Sequence, residues 1–377
     1  MPSSLMLLSN PYRPDPRVLL EARALRGAGY GVDLIAWDRE GKWPAEADVK
    51  EAHIVRVGPT CPPRSAARML TRLPRFWWRA LRASAKIDFD VVHAHDFDTL
   101  PLGMVISKLS GRPVLYDAHE LYAKMVQDDI GGMARAVWAL EKCCARRADE
   151  IITVSDALAA ELSKGRTRPA RVVTTSQDPA AVEGSDRESV RRKYGLTGFV
   201  ISYLGSLEPG RFVEETVSSF TPEDKVTVIV AGSGSLEPMV EEASRKNPAV
   251  KFIGVVDNDE ALRITWASDL VVAMMDPKNP NNVVGTPGKI INAMAVARPM
   301  ITTKGLDIGA RVEAAGCGIV IPYSKPRFIE AVVRAAADRK ALDAMGQRGK
   351  AYFDKELSWE RSKEGLFKAY EALVRPS

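Results

Sequence analysis

Two cations are set where an anion could use them. Arg211 closes YLGSLEPGR (203–211) and Lys289 closes VVGTPGK (283–289), each at a glycine-bearing junction between an apolar run and a helical segment. A helix amino terminus leaves N–H groups unpaired and carries the positive end of the macrodipole. Glycine lets an anion approach that backbone, and proline in the first turn removes no needed donor. VIVAGSGSLEP (228–238) and FIGVVDNDE (252–260) repeat this design at two more strand ends. The four turns could together cradle a diphosphate. Any one alone reads more readily as an ordinary loop before a helix.

The amino-terminal half offers a different set. His119 ends YDAHE, His95 ends DVVHAH, and Asp15 and Arg17 lie in PDPR. At loop ends these polar side chains could meet a ligand. Each has a structural alternative: a histidine ending a strand bonds locally, and Asp15 between prolines caps the helix that follows. His93 is expected on the other side of its strand and is left out of the set.

The elements that must hold these groups alternate between short apolar strands and helices, which predicts parallel α/β sheets. Strands are expected at 4–9, 31–37, 53–57, 90–95, 113–119 and 150–155, then at 199–205, 226–232, 250–256, 269–275, 298–303 and 318–322. Helices are expected at 16–28, 211–219, 236–246, 258–267, 287–297, 326–337 and 358–374. The polar, turn-rich stretch 171–195 marks the junction between a domain over 1–180 and one over 195–357. Two similar α/β domains facing a cleft are the simplest architecture.

A chain of 377 residues, 46% hydrophobic and 27% charged, suits a soluble two-domain protein. No run of eighteen apolar residues predicts a transmembrane helix, and the amino terminus lacks the basic start of a secretory signal. Cys61, Cys143, Cys144 and Cys317 have neither disulfide-framework nor zinc spacing, which points to a reducing, cytoplasmic setting. No metal site is expected.

The net charge of +5 is mild, but its placement is not even. RSAARMLTRLPRFWWRALRASAK (64–86) contains no acid, and Arg68, Arg72, Arg75, Arg79 and Arg82 recur every three or four residues beside Trp77 and Trp78. Such a helix suits an anionic membrane surface. Pro74 predicts that it begins at 75 and runs to 86. The alternative is a helix packed on its own sheet with solvated arginines. Nucleic acid is not an expected partner, since no recognition module accompanies the arginines.

The order and spacing of YLGSLEPGRFVEETVSSF, VTVIVAGSGSLEPMVEEA, VKFIGVVDNDEALRITWASDLVVAMM and TPGKIINAMAVARPMITTKG resemble those of retaining glycosyltransferases of the GT-B architecture, family 4. NPYRPDPRVLLEARALRGAGYGVDLIAWDR, DVVHAHDFDTLPLG and GRPVLYDAHELY match that family's first domain, and SWERSKEGLFKAYEALV resembles its terminal helix, which crosses back to the first domain. The resemblance implies two Rossmann-like domains. The second binds a nucleoside diphosphate sugar, and the first binds the acceptor. It implies that Arg211 and Lys289 hold the leaving diphosphate without a metal or other cofactor, that His119 faces the donor sugar, and that Asp15, Arg17 and His95, on the same rim, contact acceptor, sugar or diphosphate.

By the same resemblance Gly205, Gly232 and Gly234 let the backbone approach the nucleotide. Gly285, Thr286 and Pro287 touch sugar and phosphate, and Val255 and Val256 line the base pocket. The family's basic residue before the first glycine turn is replaced here by Ser206. Its two glutamates are replaced by Val284 and Asn292, whose amide can still meet ribose hydroxyls. The expected reaction is transfer from a nucleotide sugar to a hydroxyl of a lipid-linked or glycan acceptor, at the inner face of the cell membrane. A non-catalytic partner subunit and a sugar-nucleotide epimerase are the alternatives, the latter opposed by the missing carboxylates.

Overall fold

The computed structural model describes residues 1–12, 15–61, 66–122, 134–174, 176, 177, 179–284 and 287–374, apart from the side chains of 66–68, 70, 180, 281 and 284. The chain divides into two compact units, residues 1–174 with 360–377, and residues 175–359.

The first unit is built on eight strands: β1 (Ser3–Leu8), β2 (Gly31–Trp37), β3 (Glu46–Asp48), β4 (His53–Val57), β5 (Val91–His95), β6 (Val114–Ala118), β7 (Glu150–Thr153) and β8 (Arg171–Val172). Their order is β3-β4-β2-β1-β5-β6-β7-β8, parallel throughout except for β3 against β4. The central strands β5, β6 and β7 are buried along their whole length, as a sheet covered on both faces requires. One face packs Leu5, Leu7, Val92, Ala94, Tyr116 and Ile151 against helices Ala66–Ser84, Leu100–Ser110, Ala134–Ala145 and Asp156–Leu162. Successive residues of a strand point to opposite faces, so Ser4, His93, His95 and Asp117 share the other face. There the closing helix Trp359–Leu373 sets Tyr370 against Ser4 and Tyr30.

The second unit carries β9 (Phe199–Leu204), β10 (Val226–Ala231), β11 (Val250–Phe252), β12 (Leu270–Ala273), β13 (Met300–Thr303) and β14 (Gly318–Ile321), all parallel, in the order β11-β10-β9-β12-β13-β14. The order reverses between β9 and β12, and in the first unit between β1 and β5. Open parallel sheets bind ligands beyond the carboxyl ends of the strands at such reversals.

Several elements differ from the sequence expectation. The arginine-rich helix runs unbroken from Ala66 through Pro74 to Ser84, because Pro74 lies on its exposed side, where the lost N–H bond faces water. β11 stops at Phe252 instead of 256, where Gly254 turns the chain with a φ of +71°. The helix expected over 211–219 shrinks to Val213–Val217. Helix Arg339–Tyr352 has no counterpart among the expected elements. Residues 175–195 go with the second unit: Ser176 donates to Leu357, Asn258 to Gln177, and Arg187 and Arg191 pair with Asp269.

Candidate functional site

In the second unit the turn after β9 and the start of helix Gly288–Ala295 bring the two expected cations together. The Lys289 ammonium lies 3.5 Å from the centroid of the Tyr203 ring, at the end of β9, and beside Gly205. Arg211 Nη1 lies 3.0 Å from Met275 Sδ, just past β12. Among the described residues no carboxylate pairs with either side chain. Burial, and next the charge of Arg211, lower the Lys289 ammonium to about 7. A half-buried amine without an anion is costly, and it favours whatever anion arrives.

The turn residues around this pair divide by cause. A Cβ on Gly232 would stand 1.8 Å from the Gly205 carbonyl, and one on Gly234 would stand 2.1 Å from that of Leu207. The turns after β9 and β10 are thus pressed together, held by Leu207 N–H to Ser233 and Leu236 N–H to Leu207, both 2.9 Å. Gly232 and Gly234 are required by the protein's own backbone, whatever else passes near them. Gly205, with φ +135°, is required by its backbone angle, since a Cβ there would meet Lys289 at an ordinary 3.7 Å. Ser206 is exposed, and its carbonyl accepts from the Tyr203 hydroxyl at 2.7 Å.

Pro287 precedes the helix start with no side-chain cap, which leaves the first N–H groups uncapped. Asn292, one turn on from Lys289, is buried, and its Oδ1 has no hydrogen-bond donor among the described residues. Val255 is 69% exposed, while Val256 packs on the cluster of Leu204, Ala231 and Ile264. Gly285, Thr286 and the side chain of Val284 lie outside the described residues. Sequence reasoning missed Tyr203 and Met275. Their only signal was their position at the carboxyl ends of β9 and β12.

The first unit holds its charged residues differently. Arg17 donates from Nε and Nη2 to the two oxygens of Asp117, at 2.9 and 2.7 Å, and from Nη1 to the Val173 carbonyl. Its Nε also lies 3.1 Å from Glu21, one turn along the same helix. His95 Nδ1 lies 3.2 Å and His119 Nε2 3.0 Å from Asp117 Oδ2. The other ring nitrogen of His119 is 3.4 Å from Asp96. Burial alone would depress the His119 imidazole, but Asp96 and Asp117 outweigh it and raise it to about 10. Burial lifts Asp96 to about 7. Burial also drives His93 and His95 below the ordinary imidazole range.

Three expectations are corrected here. Arg17 and His95, expected on an acceptor-facing rim, are buried with Asp117 under the closing helix, because they follow the inward register of helix and strand. Asp15 accepts from Val18 N–H at 3.2 Å and from Asn10 at 2.8 Å, so it caps its helix. His93 lies on the same side as His95, its ring stacked at 4.1 Å, as a two-residue spacing in a strand dictates. Its Nδ1 lies 3.0 Å from the Tyr370 hydroxyl. Glu21, Asp117 and Tyr370 were missed as well; each sits inside an apolar stretch and reads as an isolated polar residue.

The donor atoms of Glu21, His93, His95 and Asp117 lie within 4.8 Å of one another, a spacing that would admit an ion. The guanidinium of Arg17 already meets both carboxylates, so the positive charge of the cluster is supplied by the chain itself.

On helix Ala66–Ser84 the expected outward residues separate. Arg75, Trp78, Arg79 and Arg82 are exposed, with Arg82 stacked 3.9 Å over Trp78. Arg72 is half-buried, and Trp77 packs inward and donates from Nε1 to the Asp98 carbonyl at 2.8 Å, so it is not a surface contact. The side chain of Arg68 lies outside the described ones. Among the described residues no helix is long and apolar enough to cross a membrane.

Two doubly wound parallel sheets, each reversing order where charged groups collect, are an architecture found in two-domain glycosyltransferases, and the family comparison gives the class. Residues 17–177 match the Glycosyltransferase Family 4 model and residues 198–338 the Glycosyl transferases group 1 model, and the chain belongs to this family. No curated protein sequence matches it. Among solved structures it resembles sucrose-phosphate synthase from Thermosynechococcus elongatus, with a TM-score of 0.80 and 19% identity over 98% of this chain and 99% of that one. It also resembles Anabaena HepE in complex with UDP and glucose, with a TM-score of 0.75 and 15% identity over 99% and 100%. WaaG, a glycosyltransferase involved in lipopolysaccharide biosynthesis, matches with a TM-score of 0.71 and 16% identity over 97% and 100%. At these identities the likeness establishes the fold.

Proposed function

We propose that the protein moves a sugar from a nucleoside diphosphate sugar to an acceptor hydroxyl with retention of anomeric configuration. The observation that carries this reading is the pair Lys289 and Arg211, set at the reversal of a parallel sheet with no carboxylate among the described residues to neutralise them. The diphosphate is their missing counter-charge. Because Lys289 sits near neutrality when the seat is empty, arrival of the diphosphate draws a proton onto it. The full cation then stabilises the charge that develops as the sugar–phosphate bond breaks. In this assignment the unpaired Asn292 oxygen accepts from a ribose hydroxyl, and the leaving phosphate takes the acceptor's proton. No protein nucleophile and no metal enter the scheme.

His119, a cation held between Asp96 and Asp117, is the first unit's candidate contact to the donor sugar. The solved relative that holds UDP and glucose makes UDP-glucose the first donor to test. The acceptor in this reading is lipid-linked or a glycan, presented at an anionic membrane surface. Thermal shifts with UDP-, GDP-, ADP- and dTDP-glucose identify the base, and release of nucleoside diphosphate only when a lipid extract is added identifies transfer. Lys289→Ala and Arg211→Ala variants that fold and keep wild-type shifts would overturn the seat. Binding without turnover in every extract would favour a non-catalytic partner subunit.

A further inference from the structure

Among the described residues, eight large apolar side chains are exposed, and four of them lie on three neighbouring helices of the first unit. Trp78, on Ala66–Ser84, is 54% exposed; Val105 and Leu109, on Leu100–Ser110, are 47% and 71% exposed; Leu140, on Ala134–Ala145, is 53% exposed. These helices cover the same face of the sheet, packed on one apolar cluster, so their outer sides form a continuous layer. The exposed charges between the apolar tips are all basic, among them Arg75, Arg79, Arg82, Lys108 and Arg135. The one carboxylate in the three described helices, Glu141, is buried and accepts from the Tyr116 hydroxyl. The layer ends at helix Asp156–Leu162, which exposes Asp156.

We propose that this three-helix layer is a docking surface for an anionic lipid bilayer. It rests on the membrane part of the reading above and extends it beyond the arginine-rich helix, to residues that carry no such signal in the sequence. Charge complementarity decides the occupant: three described helices without an outward carboxylate, with apolar tips standing between cations, match a plane of anionic headgroups over hydrocarbon. Arg82 over Trp78 and Lys142 over Trp138 hold cations beside indole rings, a pairing suited to the headgroup level. The attraction is electrostatic at range and therefore falls with salt.

The test is flotation of the full chain with phosphatidylcholine vesicles, with and without phosphatidylglycerol. The wild-type chain is expected to float only with the anionic lipid, and less as salt rises. Leu109→Glu combined with Leu140→Glu, both off the arginine-rich helix, should lower recovery about tenfold, a step of about 1.4 kcal/mol. Arg75→Glu combined with Arg79→Glu should lower it similarly, and both variants should keep the wild-type thermal shift with nucleoside diphosphate. Wild-type flotation of the Leu109/Leu140 variant, with loss in the Arg75/Arg79 variant, would overturn the three-helix layer and leave the single helix standing. Absence of wild-type flotation would remove both. A concentration-dependent dimer that the Leu109/Leu140 variant turns monomeric, without flotation, would assign the face to a second copy of the chain and also overturn the proposal.

Discussion

Both units gather charge where strand order reverses, and both keep a non-glycine residue in the left-handed region beside it: Asp96 with φ +62° and Phe212 with φ +61°. They differ in what balances the charge. In the first unit Arg17 and His119 face Asp117, with Glu21 and Asp96 alongside, and Tyr370 of the terminal helix meets the neighbouring His93. In the second, Lys289 and Arg211 face an aromatic ring and a thioether. The first cluster carries its own counter-charge, although Glu21 and His95 keep buried atoms without a hydrogen-bond partner among the described residues; the second pair carries none among them. Clusters of ionisable groups thus separate into structure and recognition by whether opposite charge is present, not by how many groups are buried.

The sharpest way to break this contrast is to remove one side of the balanced cluster. Asp117→Ala leaves buried Arg17 with Glu21 alone and His119 with Asp96 alone, and should cost about 3–5 kcal/mol in urea unfolding. A loss of under about 1 kcal/mol would mean that water, rather than the carboxylate, carries the cluster. The matching change in the other unit, Lys289→Met, should leave stability unchanged or higher near pH 7. It should weaken nucleoside diphosphate binding about 100-fold by calorimetry, about 2.7 kcal/mol. Equal destabilisation by the two substitutions would erase the distinction.

Stability against pH sharpens the contrast, because the two units carry opposite signs. Lys289 is depressed to about 7 in the folded chain from an ordinary 10.5, so its penalty is full below 7 and is relieved as pH rises from 7 to 10.5. His119 is raised to about 10 from 6.5, so its contribution is full below 6.5 and is lost as pH rises toward 10. Unfolding of wild type, Lys289→Met and His119→Gln across that range should give difference curves of opposite slope. Diphosphate affinity should also fall above pH 7, by up to about tenfold per unit, and Lys289→Met should flatten that fall. The smallest effect belongs to Asp15: loss of its cap in Asp15→Ala should cost about 1 kcal/mol and leave diphosphate binding unchanged.

Much of this was legible in the sequence. Alternating apolar runs and helical stripes predict the two parallel sheets, and glycine turns at strand ends single out Lys289 and Arg211. The approach of these two cations was readable because its parts are local: a turn, a helix start and one cation each. The first unit's cluster was not, because it is assembled from four separated segments. Glu21 sits in a helical stripe, His93 and His95 in β5, Asp117 in β6 and Tyr370 near the chain's end. Only the sheet order makes them neighbours. The glycines after β10 show the converse, since their spacing suggests a ligand while the close approach of two turns already requires them.

The Tyr370 hydroxyl reaches both Ser4 and His93 from a helix that follows the whole second unit in sequence. On the ribosome, the amino-terminal sheet therefore emerges long before the hydroxyl that finishes its interior. Its last hydrogen bonds must wait until the intervening unit has been synthesised, so the order of translation and the order of completion run opposite ways.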